Sequence, residues 1–268
     1  MTFLGVRGST PCHGPSTARY GGNTSCVAVT APGSPPIFLD LGTGLRYYGR
    51  PECGTPFRAA ALVTHMHFDH VQGLPFFPPM LESGNELDVY GPAQDDGRTL
   101  KQAFDSIVCP PQFPVTLDLF SGTFRFHDIG DCDFMIGEVK VTARHVPHIG
   151  PTLGYRLEHG GRVVTYVSDH QQPYDGAHTV PESVRELADG AHILIHDAQY
   201  TGPEFEKKYY FGHCTQDYAV AVARECGVRT LALYHHDPER TDDQLDSACR
   251  EEPGLRVIPA REGLVLSA

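Results

Sequence analysis

Six residues constrain this chain more than any others: His65-Met66-His67-Phe68-Asp69-His70. They follow Ala59-Ala60-Ala61-Leu62-Val63-Thr64, a small and apolar run that suits a buried strand. Side chains alternate in an extended chain, so His65 and His67 project to the same side. Asp69 and His70 lie just beyond, where Gln72-Gly73-Leu74-Pro75 ends the run and turns the chain. Three imidazoles and a carboxylate within six residues form a hard-to-borderline ligand set suited to zinc, and extensible to two ions. The rest of the chain must then supply the partners.

With 268 residues and 40% hydrophobic composition the chain can bury a full core, most simply as one domain over 1–268. It has no run of about twenty apolar residues, so no membrane span is expected. Met1-Thr-Phe-Leu-Gly-Val-Arg lacks the regions of a signal peptide. Cys12, Cys26, Cys53, Cys109, Cys132, Cys214, Cys226 and Cys249 form no Cys-x-x-Cys pair. That argues against a zinc knuckle and a small disulfide scaffold, and fits a reducing cytoplasm. A formal charge of −12 disfavours a protein that grips long nucleic acid through its phosphates. A small anionic substrate stays compatible, because two divalent ions would locally offset that charge.

Along the chain, residues 2–7 read as a first strand, and the Gly- and Pro-rich stretch after Gly8 as an irregular loop. Ser25 to Thr30 and Ile37 to Asp40 read as strands, and Asp40-Leu-Gly-Thr-Gly turns sharply after the second. Seven prolines break residues 74–130 into short pieces, with one helix near Gly97–Ser106. That segment is expected to cover one side of the site, as a lid or a wall; Phe76, Phe77 and Phe113 are candidates for its lining or, more simply, for core. From Glu138 strand alternation returns and runs towards His145 and His148. Gly160-Gly161 then makes a hairpin turn into Arg162–Asp169. A helix over Pro181–Asp189 precedes a strand over Ala191–His196. His213 precedes a helix that Thr215 caps and Gly227 closes. A strand over Val228–Tyr234 ends in His235-His236, and a helix over Asp242–Arg250 follows, capped by Thr241. Strand ends thus offer His145 or His148, Asp169, and His235 or His236. His170 would point away from Asp169 in an extended chain.

His-x-His-x-Asp-His at a strand end resembles the signature of the metallo-β-lactamase superfamily. Gly-x-Arg-Gly-Ser, Tyr-Gly-Gly-Asn-Thr-Ser and Asp-x-Gly-Thr-Gly near the start resemble a bacterial group of its hydrolases, near the RNase Z and cyclic-phosphodiesterase branch. The resemblance implies a four-layer αββα sandwich in the broad α/β class, with the site at one edge of two packed sheets. In that branch a ligand lies seven residues before the Tyr of Gly-Tyr-Arg, which here selects His148 over His145. The apolar run into His235 matches the last metal ligand, leaving His236 aside. The implied set is His65, His67 and His148 on one ion, Asp69, His70 and His235 on the other, and Asp169 bridging. Zinc is the metal implied, with manganese or iron as alternatives.

The resemblance also implies a hydrolase in which a hydroxide held between two ions attacks a phosphodiester, oriented by Asp69. His213, in a His-x-Thr motif with Cys214 at its centre, would meet the scissile phosphate, and Asp197 would hold its imidazole. Relatives on the branch are often dimers, so a homodimer is the analogy. RNase Z enzymes insert a tRNA-gripping arm between Gly-Tyr-Arg and the bridging aspartate. Here only ten residues separate Glu158 from Asp169. A small, cyclic phosphodiester is therefore the favoured substrate, with an armless RNase Z or a thioesterase, lactonase or β-lactamase as the alternatives.

Overall fold

The computed structural model describes residues 1–49, 55–174 and 179–268; Cys53 lies outside them. Strands β1 (Thr2–Gly5), β2 (Cys26–Val29), β3 (Ile37–Leu39), β4 (Arg58–Leu62), β5 (Glu86–Pro92) and β6 (Thr123–Ile129) lie side by side in sequence order as a six-stranded sheet. The second half of the chain builds an eight-stranded sheet. Its strands are β7 (Cys132–Ile136), β8 (Val139–His145), β9 (Leu153–His159), β10 (Arg162–Val167), β11 (Ile193–Asp197), β12 (Thr230–Tyr234), β13 (Arg250–Glu252) and β14 (Leu255–Pro259). They are ordered β13-β14-β12-β11-β10-β9-β8-β7.

Period-two alternation sorts each central strand between two apolar layers. In β4, Ala60 and Leu62 join the core shared by the two sheets, while Ala59 and Ala61 face the opposite way. In β12, Ala232 and Tyr234 enter that same shared core, whereas Leu231 and Leu233 meet the helices. The outer face of the first sheet is covered by α1 (Phe68–Val71), α2 (Leu100–Ile107) and short 3-10 turns. The second is covered by α3 (Glu182–Ala188) and α5 (Gln216–Glu225), with α4 (Gly202–Lys208) and α6 (Asp242–Asp246) near the rim. Val184, Leu187 and Ala188 of α3, with Tyr218, Ala219, Val222 and Ala223 of α5, form the buried stripes that dock on it. The result is the four-layer αββα sandwich. Among the described residues, no helix is long and apolar enough to cross a membrane.

The Gly160-Gly161 hairpin joins β9 to β10, with His159 opposite Arg162 and both glycines at positive φ. Thr215 caps α5 by accepting the Tyr218 N–H. Three sequence expectations need correction. Residues 74–130 contain two seven-residue strands, β5 and β6, that extend the first sheet, and not only turns and a helix. The helix near Gly97 starts at Leu100, because Thr99 and Gln102 form a capping box there. The helix expected over Asp242–Arg250 stops at Asp246, and Arg250 instead begins β13, paired with Val257. The phenylalanines divide: Phe77 is core, while Phe76 is exposed and packs on Phe113 with ring centres 5.8 Å apart.

Candidate metal centre

Strand ends deliver the site. His65 and His67 follow β4, and His67 stands at the N-cap position of the single turn of α1 that carries Asp69 and His70. His148 follows β8, Asp169 follows β10 and His235 follows β12. These three strands point the same way, so their carboxyl ends share one rim. His235 adopts a left-handed φ of 56°, a conformation uncommon for non-glycine residues and enriched at functional sites.

The donors form two groups. His67 Nδ1 lies 2.8 Å from His65 Nε2 and 3.3 Å from His148 Nε2. In the second group His70 Nε2 lies 3.2 Å from His235 Nε2 and 3.2 Å from Asp69 Oδ2, which is 2.9 Å from His235 Nε2. Asp169 stands between them. Its Oδ1 is 3.2 Å from His70 Nε2, and its Oδ2 is 3.5, 3.6 and 3.8 Å from Nε2 of His235, His148 and His65. The two groups therefore share one carboxylate.

Outward-facing partners decide which way each ring is aimed. His70 Nδ1 meets Asp40 Oδ2 at 2.7 Å, His148 Nδ1 meets the Gly212 carbonyl at 2.6 Å, and His235 Nδ1 meets Gln199 Oε1 at 2.8 Å. His65 Nδ1 is 3.0 Å from Thr64 Oγ1, which itself donates to Asp40. Carboxylate and carbonyl oxygens only accept, so each Nδ1 carries the proton and each ring turns its Nε2 inward, as the atom that can offer a lone pair to a cation. Asp169 Oδ1 is buried and accepts no hydrogen bond, although His70 Nε2 is close. Converging lone pairs and a buried, unsatisfied carboxylate oxygen are the chemistry of a cation site, and these residues fit divalent ions.

The electrostatics agree. Burial, with the charge of His70, pushes His65 well below its ordinary pKa; burial also lowers His67 and brings His148 down to about 4. Burial would raise the carboxyls of Asp69 and Asp169, but the imidazoles of His70 and His235 outweigh it and hold both low. The same carboxylates, against burial, raise His70 and His235. Ionised carboxylates in a closed cluster demand positive charge beside them, whether from protons or from metal. His67 is the exposed member of the cluster, next to the exposed Phe68, so the centre opens to solvent on that side.

His213 precedes the cap of α5. Its Nδ1 lies 2.9 Å from Asp197 Oδ2 and 3.6 Å from Asp169 Oδ2, and its ring stacks on His235 at 4.9 Å. Asp197 closes β11, is fully buried, and accepts the backbone N–H groups of His170 and Gln199. The neighbouring histidines lie elsewhere. His145 is exposed and paired with Asp131 at 2.7 Å; His170 turns to His196 at 3.0 Å; His236 bonds the Ala260 carbonyl at 2.8 Å. Sequence reasoning gave no role to Asp40, Gln199 or Gly212, which orient His70, His235 and His148. Asp40 does stand in the Asp40-Leu-Gly-Thr-Gly turn, and Gln199 two residues after Asp197.

Fold and site define the class: a metallo-β-lactamase-fold hydrolase. The chain belongs to the Beta-lactamase superfamily domain family, whose profile matches residues 49–236. It is similar to the ribonuclease Z of Haloarcula marismortui, 27% identical over 317 residues that cover 98% of this chain and 95% of that one. That stretch is longer than the 268 residues here, so the relative carries segments this chain lacks. Among solved structures, the metallo-β-lactamase fold protein YhfI of Bacillus subtilis superposes with a TM-score of 0.71 at 19% identity, covering 99% of this chain and 98% of that chain. The short form of human tRNase Z gives 0.69 at 20%, with the same coverage.

Proposed function

We propose that this chain is a cytoplasmic, dinuclear metal-dependent phosphodiesterase acting on a small, cyclic or short linear phosphodiester. His65, His67 and His148 would hold one ion, Asp69, His70 and His235 the other, and Asp169 both. When bound, the ions, most simply zinc, supply Lewis acidity towards water and the phosphate oxygens. Asp69 has its Oδ2 anchored by the Ser9 N–H at 2.7 Å and presents a fixed carboxylate to orient the attacking water.

The observation that carries the reading is the bond between His213 and Asp197. Geometry alone would allow His213 as a further metal ligand. Its Nδ1, however, is closer to Asp197 than to Asp169, which supports proton work over metal binding. Asp197 fixes the ring through Nδ1, which leaves Nε2 to deliver a proton to the departing alkoxide oxygen or donate to a phosphate oxygen. The N-terminal end of α5 beside it favours an anionic substrate.

The similarity to enzymes named ribonuclease Z supports phosphodiester chemistry and keeps a second reading, an armless RNase Z-like ribonuclease. The two-residue turn between β9 and β10 and the charge of −12 favour the smaller substrate. Metal-quantified protein assayed on bis(p-nitrophenyl) phosphate, 2′,3′-cyclic nucleotides, a precursor tRNA, a thioester and a lactam tests this. Turnover of the small phosphodiesters above all others is expected. Preference for the thioester or lactam would overturn the reading, and preference for the tRNA would replace it with the second.

A further inference from the structure

Next to the metal centre runs Lys207-Lys208-Tyr209-Tyr210-Phe211, which leads straight into Gly212 and His213. The three aromatic residues form a 3-10 turn and are 39%, 60% and 52% exposed. Their rings adjoin: Tyr209 and Tyr210 have centres 5.6 Å apart, Tyr210 and Phe211 4.7 Å at 32°. Tyr174, also exposed, lies 4.2 Å from Tyr209. Contiguous exposed aromatic rings mark a surface that something covers.

The ledge is tied to the site by two routes. Phe211 adjoins Gly212, whose carbonyl orients His148. The Lys208 ammonium lies 5.4 Å from the Tyr200 ring centre and 3.0 Å from Asp237, and Tyr200 packs edge-on against His213 at 5.8 Å. Lys207 is exposed beside them. The shelf carries two lysines on an acidic chain, and it begins two residues from the imidazole of His213. That separation, at most about 7 Å of backbone, is within reach of one nucleoside.

We propose that Tyr210 and Phe211 stack the base of a nucleotidyl substrate whose phosphodiester sits at the metal centre. The inference rests on the phosphodiesterase reading and deepens it, from small phosphodiester to one that carries a nucleobase. Stacking on Tyr and Phe accepts any base, because every base has a π-face.

The test uses two esters with the same leaving group, thymidine 5′-(p-nitrophenyl phosphate) and methyl p-nitrophenyl phosphate, on metal-loaded full-length protein. In the double variant Tyr210→Ala/Phe211→Ala, KM for the thymidine ester should rise about tenfold or more. Its kcat should stay within about twofold, and the methyl ester, which has no base, should keep both parameters. The swap Tyr210→Phe/Phe211→Tyr should behave as the parent. Equal changes for both esters, or none, overturn the proposal. So does a dimer in sedimentation that the double alanine variant dissociates without altering the KM ratio, because a second copy then covers the rings. If the parent hydrolyses neither ester, the phosphodiesterase reading falls. The ledge is then judged by calorimetry: thymidine 5′-monophosphate bound more tightly than methyl phosphate by the parent alone supports it, and equal affinity overturns it.

Discussion

Asp40 Oδ2 lies 2.7 Å from His70 Nδ1, and this contact sets the direction in which His70 offers its lone pair. Asp40 is fully buried and also accepts from the Thr64 N–H at 2.7 Å, the Thr64 hydroxyl and the Tyr166 hydroxyl at 2.8 Å. It thus ties both sheets to a ligand it does not replace. Partners of this kind change metal affinity by about 10- to 100-fold when removed. Asp40→Asn, which tolerates the left-handed φ of 58°, should fold but release zinc at correspondingly lower chelator concentration. Chelator titration followed by metal analysis reads this directly.

His213 and Asp197 are predicted to serve chemistry more than metal retention. His213→Ala should keep the parental metal content and lower kcat by about 10²- to 10⁴-fold on an alkyl phosphodiester, with a smaller loss on a p-nitrophenyl ester, whose leaving group needs no proton. Asp197→Asn should follow the same pattern more weakly. Near-normal turnover of the alkyl ester by metal-replete His213→Ala would remove the assignment.

Gly212 has a φ of 91°, and a Cβ there would come within 2.5 Å of His148 Nδ1. Gly212→Ala is therefore strained twice, by its backbone and by the ligand it pushes. A loss of about 1–3 kcal/mol in stability is expected, with weaker retention of metal. Thermal melts with and without excess zinc will separate the two effects. By contrast His145→Ala, on an exposed residue, should leave metal content unchanged while His148→Ala lowers it.

The site was legible in sequence to the extent that its ligands stand at strand ends. The six-residue motif needed no long-range information, and the hairpin glycines announced the short β9–β10 connection. Choosing His148 over its neighbour His145 took the spacing of the family motif, because both stand at the end of the same strand. The orienting groups were invisible: Asp40 is 30 residues from His70, and Gln199 reaches His235 across 36. Strands β5 and β6 were missed for another reason. Prolines are scattered through the segment that holds them, Pro92 closes β5, and β6 is an edge strand with half-exposed aromatics, so neither gave a clean apolar run. The helix after Thr241 was overextended because nothing in its sequence marks the hand-over at Asp246 to the pairing of β13.

Glu204 provides an acid-side test away from the metal. It pairs with the buried Arg240 and closes the Thr201 capping box of α4, and although burial opposes this, its carboxyl is held down to about 2. Its folded pKa lies below the ordinary 4.5, so its stabilisation is complete above pH 4.5 and fades as pH falls towards 2. The side chain is about one-third exposed and water screens the pair, which leaves roughly 1 kcal/mol. Glu204→Gln should melt earlier than the parent at neutral pH, with the gap closing below pH 3.

Seven side chains are proposed to hold two ions on one chain. Inductively coupled plasma mass spectrometry of zinc-loaded, desalted protein tests it most directly. Two zinc ions per chain are expected, falling to one or fewer in His235→Ala. A parental ratio near zero, or a ratio of two that His235→Ala leaves unchanged, would contradict it.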